Sequence, residues 1–577
     1  MFKKYACYLS LGVLAAPLVV AAEALMPLPS LPTSPAPEPQ SSQTAPLGSL
    51  ATPPSSLETP SNSQTAAPGP QPAAPVLQTA SGSLTAPDQL TAPTSLTAQC
   101  PALLRVDAPT LKLLQALYLQ HGDAPLWSVN GRLANLREQL PLLADDGLDP
   151  SHYPLPAGDA PDGLCADIQI SQRYLLALHD LRYGRLSQAR FEPLWRAQPL
   201  VEDHQAELLA IADPGLDNIA GAFEQARPRL AQYHNLRHVY IQQRQQALPH
   251  WQPLPSGPLL RPDMQDVRVP ELTQRLFSEG YLSSPQVSVE NTYGSELVDA
   301  VKSFQLNHSL QADGVIGPGT LNELNISPSV RREQLRLNLE RLRWLAQDLE
   351  PSSVLVNVAA AQLTVYRDGL PVWQTRTQVG RAERQTPLLK SRVTRLTLNP
   401  TWTVPPTILR EDKLPEIRRD QSFLSRQNLE VLDSEGQPLA PEDIDWEHPG
   451  NILLRQGAGP RNPLGRMVIR FPNPFSVYLH DTPSQGLFSK GPRAFSSGCV
   501  RVEQALQLRD WLLSPAERRR TDELLTTGLT HEFRLAAPLP ILLSYWTVQA
   551  DDQGRVVYAP DIYSRDGPLL SALGSAH

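Results

Sequence analysis

Two side chains in the C-terminal third of this 577-residue chain can do chemistry together. His480 ends a short run, Ser476-Val477-Tyr478-Leu479, that reads as a strand. Cys499 follows across a loop rich in Gly, Pro and Ser that closes on Ser496-Ser497-Gly498-Cys499-Val500-Arg501. A cysteine with a histidine returned near it is what acyl transfer through a thiol requires. The imidazole takes the thiol proton and the thiolate attacks a carbonyl. Gly498 lets the backbone approach closely, so amides around Gly498 and Cys499 are candidates to donate to a developing oxyanion. The run from Val502 to Leu513 reads as a helix, which would set Cys499 just before a helix N-terminus and favour the thiolate. Spacing alone fits an inert buried cysteine and an ordinary histidine equally well.

The elements that must position this pair are β in pattern. From Ser352 onward the period shifts to alternation: 354–358 and 362–366 read as strands, and Asp368-Gly369 turns into 372–375. Segments 393–398 and 467–471 add strands, and 541–548 reads as a closing one. Residues 407–462 form a long, mixed insertion that reads as a lid over the cleft, or as a peripheral subdomain that only packs.

Upstream the pattern is helical. Residues 99–262 and 327–350 read as one scaffold domain, with helices over 171–183, 230–246 and 329–349. In the last of these Leu335, Leu339, Leu342 and Leu345 fall at helical spacing. Trp127 and Trp195 sit in loop-like contexts and read as packing residues. Between the two scaffold segments lies a compact insert, residues 263–326, with three short helices. Phe304, Leu310, Val315 and Ile316 form its expected core, and Gly314 and Gly317 its turns.

The N-terminus points to export. Residues 1–22 carry Lys3 and Lys4, an apolar core, and small residues before a cut near Glu23, the pattern of a secretory signal. At most they would leave an N-terminal membrane tether, because the apolar run is shorter than a bilayer span of about 20 residues. Residues 23–98 are Pro, Ser, Thr and Ala-rich without one Lys or Arg, and read as an extended linker. Residues 551–577 form a C-terminal extension. Net charge of −8 gives nucleic-acid binding no support. Of four cysteines, Cys7 leaves with the signal. Cys100 and Cys165 bracket one segment and can pair in an oxidising compartment, which leaves Cys499 odd. No metal cluster or phosphate loop is visible, and no cofactor is expected.

The order His480-loop-Ser496-Ser497-Gly498-Cys499-Val500-Arg501, with Tyr478-Leu479-His480-Asp481-Thr482 before it, resembles the L,D-transpeptidases with a YkuD-type catalytic domain. Many members have His where this chain has Ser497. The large YcbB-like members resemble it in having Ser there, and Asn399-Pro400-Thr401-Trp402-Thr403-Val404-Pro405-Pro406 is similar to the same group. The imidazole is then oriented either by a backbone carbonyl near Asp481 or by the Ser497 hydroxyl. The A-V-x-x-F-Q…D-G-x-I-G-x-x-T pattern of the insert resembles the peptidoglycan-binding type 1 domain.

The resemblance implies a multidomain α+β protein: a mostly β catalytic domain over 351–550, a helical scaffold and a three-helix module. It implies Cys499 as nucleophile and His480 as general base and acid. Gly498, Ser497 and Asp481 would serve the oxyanion or positioning, and Arg501, Ser496, Tyr478 and Trp402 would face substrate. It further implies 3-3 cross-links between diaminopimelate residues of peptidoglycan, made from tetrapeptide stems with release of D-alanine. Stems would be donor and acceptor, cell-wall synthesis enzymes are candidate partners, and the Gram-negative periplasm is the compartment. Hydrolysis of the acyl-enzyme, its transfer to an outer-membrane protein, acylation by carbapenems and a purely wall-binding role belong to the same expectation.

Overall fold

The computed structural model describes residues 96–574 except 130, 159, 199–202, 250 and 286–290; the signal and nearly all of the linker lie outside the described residues. These residues belong to one compact unit, Leu90–His577. Among them no helix is long and apolar enough to cross a membrane.

Apart from β1 (Trp195–Arg196), the main sheet draws its strands from residues 353–544. β2 to β5 are Ser353–Asn357, Gln362–Arg367, Leu370–Gly380 and Leu389–Leu398. β6, β7 and β8 (Trp402–Thr403, Leu429–Leu432, Leu453–Gln456) form a separate three-stranded sheet in the order β6-β8-β7. β9 is Met467–Arg470, β10 Leu479–His480, β11 Ala494–Ser496, β12 Val500–Val502 and β13 His531–Ser544. The main order is β5-β13-β2-β3-β4-β12-β10-β9, and β9 pairs back onto β5, so the sheet closes on itself. Closure leaves few free edges, and β1 covers part of one by pairing in parallel with β5. Trp195 is therefore an edge-strand residue rather than a loop residue, because Trp195 and Arg196 find backbone partners at Leu389 and Lys390.

Alternation sorts the strands' side chains. Val354, Val356, Leu363, Val365, Leu479, Val500, Val502, Ile541 and Leu543 enter one core with Ala505 and Leu508 of the helix Ala505–Leu512. Leu355, Tyr366 and Leu542 point to the other side. There they meet Leu335, Leu339, Leu342 and Leu345 of the helix Pro328–Asp348 and Tyr233, Leu236 and Tyr240 of the helix Ala231–Gln245.

The helix Pro328–Asp348 is buried on nearly every face, not on one stripe. Its charged face is tolerated because it is paired: Arg341 with Glu192 at 2.7 Å and Asp566 at 2.5 Å, Arg343 with Glu340 at 2.8 Å. The helix Asp566–Leu573 packs Leu569 and Leu573 on its Leu337 and Trp344, so the C-terminal extension is integral to the fold.

The scaffold core also takes in Leu96, within a helical turn Leu96–Gln99 where the linker reading still extends. Cys100 and Cys165 are joined by a disulfide. The three-helix insert has its own core, including Phe304, Leu310 and Ile316. Val315 is only half-buried, since the bridge from Leu260 to Ile316 turns Ile316 inward and leaves its neighbour at the rim. The hairpin of β14 (Val548–Ala550) and β15 (Val556–Tyr558) splits the expected closing strand after Ser544. It carries Tyr558, stacked on His308 of the insert.

Candidate active site

Cys499 lies on a tight turn between β11 and β12. Val500-Arg501-Val502 does not open a helix: its β-branched alternation seats it as β12 between β10 and β4, and the following helix begins only at Ala505. The strand β12 thus stands between Cys499 and the start of that helix.

The turn is clamped from within and behind. Buried Ser496 donates its hydroxyl to the Cys499 carbonyl at 2.5 Å and accepts from the Gly498 amide at 3.1 Å. Gly498 has φ +112°, a conformation other residues adopt only under strain. With the Gly498 N–H occupied by Ser496, the Cys499 amide is the donor of that pair left for an oxyanion. Behind the turn, Thr386 Oγ1 donates to the Gly498 carbonyl at 2.9 Å and accepts from the Gly380 amide at 2.9 Å. Tyr563 completes the brace: its hydroxyl donates to the Gly380 carbonyl at 2.6 Å and accepts from the Thr386 amide at 3.0 Å.

His480 reaches the same place from β10. Its Nδ1 lies 2.6 Å from the Asp481 carbonyl. A carbonyl only accepts, so Nδ1 carries the proton and Nε2 keeps its lone pair, the tautomer a general base needs. The Asp481 carboxylate points elsewhere and accepts from the Arg466 amide at 2.8 Å. Ser497 does not orient the imidazole; its exposed hydroxyl accepts from Arg384 at 2.9 Å.

The Tyr478 ring packs edge-on to His480 at 5.7 Å, and the Cys499 thiol faces the Ser476 carbonyl at 3.9 Å. Arg470 lies 5.3 Å over the Tyr478 ring.

Strand register sets a row of side chains on one face: His480 pairs with Arg501, and Arg501 with Gln378. Arg501 Nη1 donates to Gln378 Oε1 at 3.2 Å, and its Nε is buried without a partner. No carboxylate pairs with Arg501 among the described residues. Trp402 lies apart in β6 of the separate three-stranded sheet, with the Lys413 ammonium 5.7 Å from its ring centre.

Burial, reinforced by the Arg501 cation, pushes His480 down to about 3. Burial raises the Cys499 thiol, against the opposing bonds from Tyr478. The resting pair is thus neutral thiol and neutral imidazole. Register sets His480 on β10 and Cys499 at the start of the paired β12, with the thiol on the Ser476 carbonyl. Among the described residues no group of His, Cys, Asp or Glu is placed to hold a metal.

Sequence reasoning missed Thr386, Tyr563, Gln378 and Arg384. Each comes from a distant segment, and Thr386-Pro387 after the strand ending at Gly380 carried no chemical signal by itself.

The closed β domain bears a clamped cysteine and an oriented histidine. The family comparisons then place it: residues 351–528 match the YkuD L,D-transpeptidase catalytic domain, 112–239 a scaffold domain, and 265–324 a domain described as "Putative peptidoglycan binding domain". The chain thus carries a YkuD L,D-transpeptidase catalytic domain and a peptidoglycan-binding type 1 domain.

A relative from Haemophilus influenzae, described as "Putative L,D-transpeptidase", is 35% identical over 289 residues. The match covers 48% of this chain and 56% of the relative, so the chain spans little more than half of that protein's length. Among solved structures, the L,D-transpeptidase from Mycobacterium smegmatis is 16% identical with a TM-score of 0.16, covering 33% of this chain and 57% of that one. The L,D-transpeptidase from Xylanimonas cellulosilytica is 17% identical with a TM-score of 0.16, covering 50% and 98%.

Proposed function

We propose that the chain forms 3-3 cross-links in peptidoglycan through a Cys499 thioester. The observation that carries this is the tautomer-fixed His480 beside a partly exposed, clamped thiol in a YkuD-type domain. Cys499 gives its proton to His480 Nε2 and its sulfur attacks the carbonyl of the L-centre of diaminopimelate in a tetrapeptide stem. The tetrahedral oxyanion takes the Cys499 amide. As the C–N bond breaks, His480 returns the proton to the amine of the leaving D-alanine. The side-chain amine of a second diaminopimelate, deprotonated through His480, then attacks the thioester and restores the thiol.

Arg501, next to His480 in the row, receives the carboxylate of the leaving D-alanine, one carbon from the amine that His480 protonates. The 263–326 module holds the polymer, and the exported chain works in the periplasm.

The test is muropeptide and intact-mass analysis of residues 99–577 with diaminopimelate-containing tetrapeptide disaccharides, beside Cys499→Ala. A dimer lacking one D-alanine, absent from the variant, supports the proposal. Tripeptide alone means a carboxypeptidase, and transfer only to a protein lysine means an anchoring enzyme. No thioester under any acceptor, and no carbapenem adduct on Cys499, leaves a wall-binding protein.

A further inference from the structure

The lid has its own interior. Val404, Leu414, Ile417, Leu424, Leu429, Val431, Trp446, Ile452 and Leu454 pack together, separate from the core of the catalytic sheet. A subdomain with its own core keeps its interior without the sheet, so its orientation is set by the contacts it makes with the sheet.

Among the described residues, the ion pairs that cross from lid to catalytic sheet come from Arg381 and Arg384, in the connection between β4 and β5. Both reach the π-helical turn Leu409–Lys413, a distortion that recurs at functional sites. Arg384 does most of the joining. Its Nη1 donates to Asp412 Oδ2 at 2.7 Å, and its Nη2 donates to Asp412 Oδ1 at 3.0 Å and Glu411 Oε2 at 2.6 Å. The same Nη1 also donates to Ser497 Oγ at 2.9 Å, two residues before the candidate nucleophile. Its backbone is fixed as well: its carbonyl lies against the Cα of Gly380, where any added Cβ would collide with it. Two residues on, Thr386 holds the Gly498 carbonyl.

We infer that Arg384 is a positioning residue that seats the lid on the Ser496–Cys499 turn, so that one guanidinium sets both lid orientation and nucleophile placement. The inference rests on Cys499 being the nucleophile. A planar fork with five donors spans Asp412, Glu411 and Ser497 at once; a lysine ammonium on a flexible stem does not. The Glu411 and Asp412 carboxylates are partly exposed and regain water when the guanidinium is lost, so the loss is felt in placement more than in unfolding.

The experiment compares Arg384→Ala, Arg384→Lys and the pair Glu411→Gln/Asp412→Asn with the unsubstituted chain. Three readouts are used: hydrogen exchange by mass spectrometry, iodoacetamide alkylation of Cys499, and kcat and KM on tetrapeptide stems. Both Arg384 variants should exchange faster at 405–415 and at 496–499, by roughly tenfold or more. Exchange at β7 inside the lid and the thermal midpoint should hold. Turnover should lose roughly 100-fold in kcat/KM, the scale on which misplaced reacting groups are felt, with KM and kcat both affected. The acid-pair variant should loosen 405–415 and raise KM, leaving the alkylation rate near that of the parent.

Exchange unchanged at both segments in Arg384→Ala overturns the inference, as does full function in Arg384→Lys. If the unsubstituted chain turns over no stem, the acyl-transfer reading fails, while the exchange and alkylation data still decide the role of Arg384.

Discussion

The Nδ1 of His480 sits 2.6 Å from the carbonyl oxygen of Asp481, its own neighbour in sequence. The orienting group is thus main chain, and among the described residues no acidic side chain pairs with the imidazole. That fits a pair that rests neutral: burial holds His480 near 3 and lifts the thiol of Cys499. Iodoacetamide alkylation of Cys499 should therefore rise steadily with pH through neutrality and into the alkaline range. A plateau already reached near pH 6 would show a thiolate–imidazolium pair and refute the neutral one.

The Ser496 hydroxyl bridges the Gly498 amide and the Cys499 carbonyl while buried. Ser496→Ala leaves both without that partner, a cost of about 1–3 kcal/mol spent on the turn itself. We expect a folded protein whose Cys499 acylation slows by roughly 10- to 100-fold, which corresponds to about 1.4–2.8 kcal/mol. Ser497→Ala removes the bond from Arg384 and leaves the Ser496 clamp in place, so its effect should be smaller than that of Ser496→Ala and should follow that of Arg384→Ala. Stopped-flow or intact-mass acylation rates of the two variants, side by side, check the order.

Much of this site was legible in the chain, and the reason is locality. His480, the glycine and the cysteine lie within one segment whose residue types state their chemistry. The strands from Ser353 to Gly380 follow adjacent alternating runs joined by Asp368-Gly369. What was not legible depends on distant pairing. The closure of β9 onto β5 and the seat of Trp195 on the sheet edge carry no local pattern. The brace from Tyr563 to Thr386 spans most of the catalytic domain. The run from Val502 to Leu513 read as one helix, but Val502 closes β12 between two flanking strands and the helix starts at Ala505.

Gly491, in the loop between His480 and Cys499, lies against the insert's backbone. A Cβ there would come within 2.6 Å of the Gln311 amide nitrogen and closer still to Leu310. Gly491→Ala must push the loop and the module apart, at about 1–3 kcal/mol for overpacking. A lower thermal midpoint together with a changed alkylation rate of Cys499 is expected. A shift in the midpoint with an unaltered rate would show that the contact stabilises the module without reaching the thiol.

His308 gives the fold an acid weakness that does not involve catalysis. Its ring stacks on Phe304 at 3.8 Å and on Tyr558 at 5.2 Å, with Nδ1 2.8 Å from the Phe304 carbonyl. Burial, with the nearby Arg331 cation adding to it, pushes it down to about 3. A histidine with a lowered folded value binds its proton in the unfolded chain first. Its contribution is therefore complete above about 6.5 and is lost as pH falls from there towards 3. Between pH 7 and pH 5 this one residue should cost about 2 kcal/mol. His308→Phe keeps the stack and removes the titration, so its stability deficit relative to the parent should shrink by that amount over the interval. Denaturant midpoints of both proteins at pH 7, 6 and 5 give the comparison, and parallel declines would mean that His308 keeps an ordinary affinity for its proton in the folded chain.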